Sequence, residues 1–426
     1  MSSEHLSILV LPHFDCYFLL PSLAYYTLRD IVKLDTAICN SKMKQVFEIL
    51  PTFYNFEMIK SNAELLWLVM RKVNLTSCHF TFSPTESLGL PYCIYIYKLI
   101  GELLCNSLDL IELKCDHVDG RLLTALQEHN PKLLYLYCGE TYNITDEMII
   151  SFSKSFSGLE RLVLYRASKL TDAAIEAIVE YCPEIETLPL GGWDLLTDKT
   201  LKALAKLTGL KALHLTGNQG YTNSSIVKVV RNNACIEKLI LTFNKGTLYD
   251  STVFRQIAGY CNNLRLLQID ISPPSELASA PSATPSLLLA DEDLVPLIRS
   301  CPLLESVSVN GMSSLTEMIL LELSTHCHLL FSLKLRSYSP FARLSDPPLV
   351  TDDSIAALTM GCPKLDTLTL GPCMEITDQG ILSIAMRCKR LVHLSLEFND
   401  KITDAGMRVL FESSTQLTTL LNTALS

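Results

Sequence analysis

The chain has 426 residues, 48% of them apolar, with 45 acidic against 35 basic side chains and a formal charge of −10. That balance argues against a polyanion such as nucleic acid as the main partner. Its fifteen cysteines include no C-x-x-C pair; at least six recur at one position of a repeat, where like residues stack, so buried reduced thiols are expected ahead of disulfides or zinc ligands. The opening MSSEHLSILVLPHFDCYFLL lacks a basic n-region and is broken by Pro12, Asp15 and Pro21, and no stretch is long enough to span a bilayer. An intracellular protein, cytoplasmic or nuclear and without a membrane partner, is the expectation.

Residues 11–50 read as short helices. Asp30 can cap one whose apolar positions Ile31, Leu34 and Ile38 share a face, and Asn40 or Ser41 can cap another carrying Met43, Val46, Phe47 and Leu50. About 40 residues is the lower limit for a domain folding alone, so this segment needs something to pack on. It resembles an F-box: a Leu-Pro entry (Leu11, Pro12), apolar Leu19, Leu20 and Leu23, the pair Tyr25-Tyr26, the segment Leu28 to Leu34 and then Cys39. The resemblance implies that Leu11, Pro12, Leu20, Leu23, Ile31 and Leu34 dock on a Skp-type adaptor, joining the chain to a cullin scaffold. The other reading of residues 11–50 is a helical cap that shields the apolar end of the first repeat that follows.

Residues 51–105 form a rigid junction in this reading, without a Gly/Ser-rich tether. Glu64 to Lys72 reads as a helix, with Trp67 wedged between the N-terminal helices and the repeats that follow; Leu75, Cys78 and Phe80 begin an irregular first repeat; Tyr92 to Cys105 supplies a further helix.

From residue 106 to 426 one unit recurs, seen most clearly in Pro363 to Cys388. Leu365, Leu368 and Leu370 have strand-like spacing, Gly371-Pro372 turns the chain and Cys373 closes the turn. Thr377-Asp378 then suits a helix N-terminus, a short oxygen side chain as cap and an acid at the positive end of the dipole. Ile381, Ile384 and Ala385 follow at helical spacing. The Thr-Asp pair returns at intervals of 26, at Thr145, Thr171 and Thr197 and again at Thr377 and Thr403; the same step from Asp198 reaches Ser224 and then Asp250. One strand and one helix cannot bury both apolar faces alone, so the unit must stack on its copies. The pattern resembles the cysteine-containing leucine-rich repeat. The resemblance implies an α/β fold, a right-handed leucine-rich repeat solenoid shaped as a horseshoe, with short parallel strands on the concave face, helices on the convex face and a small N-terminal helical F-box-like cap.

Alternate strand residues point away from the leucines. Among these outward positions, Tyr135, Tyr137 and Arg161 are residue types that dominate interface energetics, and Tyr165 and Trp193 are expected on the same rim. Two insertions, 270–292 and 336–351, leave their repeats after the strand and return before the helix. Both are rich in Pro and Ser, and the second holds Arg336, Tyr338, Phe341 and Arg343. Plant hormone receptors of similar architecture build a ligand pocket from such loops, so Arg336, Tyr338 and Phe341 join the candidate partner-binding residues; silent expansion of the loops is the alternative.

The sequence offers no phosphate-cradling loop, H-E-x-x-H, G-x-S-x-G or metal-spaced Cys/His cluster. A non-catalytic protein without metal or cofactor is expected. Its family resemblance implies the substrate-recognition subunit of a cullin-RING ubiquitin ligase, holding a protein substrate on the solenoid. A leucine-rich repeat scaffold or inhibitor without a ligase connection is the alternative.

Overall fold

The computed structural model describes residues 56–59, 65, 68–70, 72, 74–80, 90–216, 220–243, 250–271, 289–311, 315–336, 350–371, 373–397, 399–414 and 416–423. The chain divides into two units, residues 1–185 and 186–426. The first unit runs β1 (Phe56–Ile59), β2 (Ser77–Phe80), α1 (Leu90–Asn106), β3 (Glu112–His117), α2 (Gly120–His129), β4 (Tyr135–Glu140), α3 (Asp146–Ser155), β5 (Arg161–Leu164) and α4 (Asp172–Tyr181). Its described strands form one parallel sheet in sequential order. The second unit runs α5 (Asp198–Leu204), β6 (Ala212–Thr216), α6 (Asn223–Asn232), β7 (Lys238–Phe243), α7 (Thr252–Ile257), β8 (Leu266–Ile271), α8 (Asp291–Ser300), β9 (Ser306–Asn310), α9 (Met318–His326), β10 (Ser332–Arg336), α10 (Asp352–Gly361), β11 (Thr367–Gly371), α11 (Asp378–Arg387), β12 (His393–Glu397), α12 (Asp404–Ser413) and β13 (Thr419–Thr423). Strands β6 to β13 again pair in sequential order, all parallel. Each unit is thus a leucine-rich repeat α/β solenoid of sequentially paired parallel strands alternating with helices.

The strand register explains the leucines. Leu333, Leu368, Leu394 and Leu420 are paired directly across β10 to β13, as are Leu113, Leu136 and Leu162 across β3 to β5. Leu113, Leu136, Leu162, Leu333, Leu368 and Leu394 are all buried. Side chains of each repeat therefore fill the layer between sheet and helices, where no water competes with them.

The recurring Thr-Asp pair has a second role beyond the expected cap. The Thr377 hydroxyl accepts from the Gln379 amide at the start of its own helix. The Asp of the preceding repeat in turn holds that threonine: Asp352 accepts from the Thr377 amide at 2.9 Å and from its hydroxyl at 2.6 Å. The same pair of bonds joins Asp146 to Thr171 and Asp378 to Thr403. Asp198 and Asp291 hold Thr222 and Thr316 in the same way. Each carboxylate thus stitches one helix N-terminus to the next.

The glycines three residues after Thr377 and Thr403 pack closely against this stitch. Gly380 donates its amide to Asp352 Oδ1, and a Cβ there would stand 2.6 Å from that oxygen. At Gly406 the corresponding gap to Asp378 Oδ1 is 2.2 Å.

One expectation of phase is corrected. Helix α6 is capped by Thr222 and begins at Asn223, so Ser224 is not its first residue and the repeat is one residue shorter than the constant interval of 26 implies. Asn223 takes the role of the Asp, donating to Asp250 Oδ1 and accepting from the Asp250 amide.

Five of the recurring cysteines lie where helices end. Cys182, Cys301, Cys327, Cys362 and Cys388 are C-caps, all buried free thiols. Cys301, Cys327 and Cys362 donate their thiols to the carbonyls of Cys261, Cys301 and Cys327. Burial pushes the thiols of Cys261, Cys327, Cys362 and Cys388 up to about 12, so they remain protonated donors and poor nucleophiles. Asn130 takes the equivalent place at the end of α2, its side-chain amide donating to the Leu104 and Ser107 carbonyls.

Leu68 of the expected Glu64 to Lys72 helix is helical and buried, as is Leu65, whereas Trp67 lies outside the described residues. Strand β1, paired in parallel with β2, carried no repeat signal in the sequence.

Three outcomes test these contacts. Leu368→Ala leaves a cavity in a filled layer and lowers stability by about 2–5 kcal/mol, read as a shift in the urea midpoint at constant slope. Gly380→Ala and Asp352→Ala each destabilise, but combined they cost less than their sum, because the second removes the carboxylate that the first displaces. The Thr403 hydroxyl and amide hold the Asp378 carboxyl below its ordinary value of 3.8. Its contribution is complete above that value and is lost as pH falls through the lower folded-state value, so Asp378→Asn flattens that part of the acid limb of stability against pH.

Candidate interaction surface

In the first unit the outward side chains of β3, β4 and β5 meet. Register pairs Glu112 with Tyr135 and Tyr135 with Arg161 in one row, and Lys114 with Tyr137 in the next. The Arg161 guanidinium lies 5.1 Å from the centre of the Tyr135 ring, and the Lys114 ammonium 5.2 Å from that of Tyr137. Each cation therefore rests on an aromatic face, an arrangement worth about 0.5–1 kcal/mol at an exposed site. Two carboxylates fix the pattern from its edges. The Tyr135 hydroxyl donates to Glu160 at 2.9 Å, while Glu112 pairs with Lys114 at 2.9 Å and accepts from the Ser77 hydroxyl.

A second aromatic pair lies beyond the strand ends. The Arg166 guanidinium donates to the Tyr142 hydroxyl at 2.6 Å and sits over its ring. Arg166 has φ +57, a conformation rare for a residue with a Cβ. Tyr165 beside it is 49% exposed, and its amide and carbonyl are held by the Cys138 carbonyl and the Thr141 hydroxyl. Aromatic and guanidinium groups ordered before binding lose little entropy when a partner arrives.

Of the residues singled out from sequence, the structure brings Tyr135, Tyr137 and Arg161 into one patch and leaves Tyr165 exposed. Trp193 is corrected: it is fully buried, and an exposed rim position is excluded. It falls 26 residues after Ala167, which is equally buried, so it fills the core of the turn and the positive φ of Gly192 bends the chain inward ahead of it. Val163, an outward position by alternation, is also buried. Arg336 ends β10 on the strand face of the second unit, half-buried. Tyr338 and Phe341 lie outside the described residues, as do Leu11, Pro12, Leu20, Leu23, Ile31 and Leu34 of the F-box-like segment. Sequence reading missed the Tyr142–Arg166 pair, although its members stand 24 residues apart, close to the repeat length.

Among the described residues no helix is long and apolar enough to cross a membrane. No protein-family model matches the chain. It is 29% identical over 162 residues to F-box/LRR-repeat protein 4 of Bos taurus, covering 37% of this chain and only 26% of that relative. It superposes with a TM-score of 0.54 on a chain of the crystal structure of the Rad7 and Elc1 complex in yeast, over 95% of this chain and 85% of that one, at 16% identity. The fold is shared with that structure, and the chain spans about a quarter of the length of the curated relative it matches.

Proposed function

We propose that the chain is the substrate-recognition subunit of an SCF-type ubiquitin ligase: the repeats hold a protein substrate and residues 1–50 hold a Skp-type adaptor on a cullin scaffold. The observation that carries the reading is the ordered patch of Tyr135, Tyr137, Arg161 and Lys114 on the strand face. Likeness to F-box/LRR-repeat protein 4 supports the ligase connection. The overlap with a structure solved as a complex of two proteins supports a partner-binding role.

The chain contributes no chemistry of its own in this mechanism. It raises the effective concentration of substrate lysines near a ubiquitin-charged enzyme on the same scaffold, converting a bimolecular encounter into a tethered one. The Tyr–cation pairs suit that task because they present large, oriented contact area whose charges are partly desolvated before the partner docks.

Purified full-length chain is expected to retain a Skp-type adaptor in a pulldown, and deletion of residues 1–50 or Leu34→Asp is expected to abolish retention with the repeats still folded. Absence of binding by the folded full-length chain favours the scaffold or inhibitor reading instead. In cells, the intact chain should shorten the half-lives of a defined set of proteins. The double variant Tyr135→Ala, Arg161→Ala should spare that set while still retaining the adaptor; shortening undiminished by the variant removes the patch from substrate binding.

A further inference from the structure

The strand face of the second unit has a different chemistry from that of the first. From β6 to β11 its outward positions carry three cations, Lys238, Lys334 and Arg336, against one carboxylate, Asp270. The chain as a whole has a formal charge of −10, so this face opposes the sign of the molecule. The carboxylate is already engaged: Asp270 accepts from the Gln268 amide at 2.7 Å and from the Asn310 amide at 2.7 Å. Burial holds His214 below its ordinary value of 6.5, with Asp270 opposing, so at neutral pH its ring adds no positive charge.

Lys334 is the centre of this face. It pairs in register with Ser308 on β9 and Thr369 on β11, and Ser332 beside it pairs with Ser306 and Thr367. All five neighbours are short hydroxyl side chains, so the lysine stands above them, exposed. Among the described residues it has no ion-pair partner. Asp270 lies two strands away, roughly 10 Å at the usual spacing of parallel strands. Arg336 projects to the same face two residues further along β10, and Lys238 lies exposed on β7.

We propose that this face, centred on Lys334 with Arg336 and Lys238, receives a carboxylate-rich segment of the protein partner. The proposal rests on reading the strand faces as the surface that holds a protein substrate, and it specifies the chemistry of what is held. Lys238 and Lys334 are three strands apart, about 14 Å, too far for one small anion to bridge. A segment crossing β7 to β11 spans about 19 Å, which about six extended residues cover. The serine and threonine hydroxyls beneath it can donate to carboxylates or backbone carbonyls without competing for the space. Nucleic acid is disfavoured because the outward positions of β6 to β11 hold no Phe, Tyr or Trp as a platform for base stacking.

The test is fluorescence anisotropy of the full-length chain, without adaptor, against a fluorescein-labelled peptide of alternating Glu and Ser. Its Gln–Ser analogue and a single-stranded RNA oligonucleotide are the comparison probes. The Glu–Ser peptide should bind with an affinity that falls as NaCl rises. The Gln–Ser analogue, and the Glu–Ser peptide on Lys334→Glu, should each bind at least about fivefold more weakly, roughly the upper range of one exposed charge pair. Lys334→Ala, with an unchanged thermal midpoint, should weaken binding in the same direction. Equal binding of the two peptides, no detectable binding, indifference to both Lys334 variants, or tighter binding of the RNA would each overturn the proposal. Adaptor capture without peptide binding leaves the ligase reading intact and removes this one; peptide binding without adaptor capture does the reverse.

Discussion

The bond from one repeat's first-turn aspartate to the next repeat's capping threonine is the constraint on which the arrangement depends. A stack of strands held only by leucine contacts could slide, because apolar attraction has no direction. The pair of bonds between Asp352 and Thr377, repeated between Asp378 and Thr403, has both direction and fixed length. It sets the helix N-termini in step, and the strand register keeps the leucines level. The same carboxylate sits at the positive end of its own helix, where it is electrostatically favoured, so one residue stabilises two consecutive repeats.

At the other end of each helix the constraint is weaker and more tolerant. Cysteine suits the C-cap because it is small, tolerates burial and still offers a donor to a carbonyl of the previous repeat. Asparagine does the same work at Asn130 with stronger bonds. The variety at this position, against the near-uniform acid at the helix start, follows from the energetics: a thiol to a carbonyl is a weak bond, whereas a carboxylate accepting an amide and a hydroxyl is charge-assisted.

The fold was legible because its signal is periodic and repeated. Leu365, Leu368 and Leu370 give a strand in one unit, and the recurring Thr-Asp steps confirm the unit length. Individual contacts were less legible. Asp378 reads as a local dipole partner, and nothing in a single repeat reveals that its carboxylate reaches the next. Trp193 shows the opposite failure, since a large aromatic near a rim reads as a binding residue until its equivalence to the buried Ala167 is recognised. The Tyr135, Tyr137 and Arg161 cluster was accessible because alternation places outward residues reliably, although Val163 shows that alternation alone does not guarantee exposure. The single-residue slip at Asn223 was invisible because Ser224 and Asn223 are both credible first residues of a helix.

Both insertions interrupt the chain between a strand and the following helix, yet neither interrupts the ladder. Cys301 still reaches the Cys261 carbonyl and Cys362 still reaches that of Cys327. Across the second insertion Glu317 replaces the usual aspartate and accepts from the Thr351 hydroxyl at 2.7 Å, while the Thr351 amide turns to the Ser354 hydroxyl of its own helix, so an acid one methylene longer keeps one of the two bonds of the stitch. The stack therefore treats the strand-to-helix turn as an open socket. Chain length can grow there without transmitting strain to the repeats on either side, which makes this edge the place where a common scaffold can diversify its loops while its sheet stays fixed.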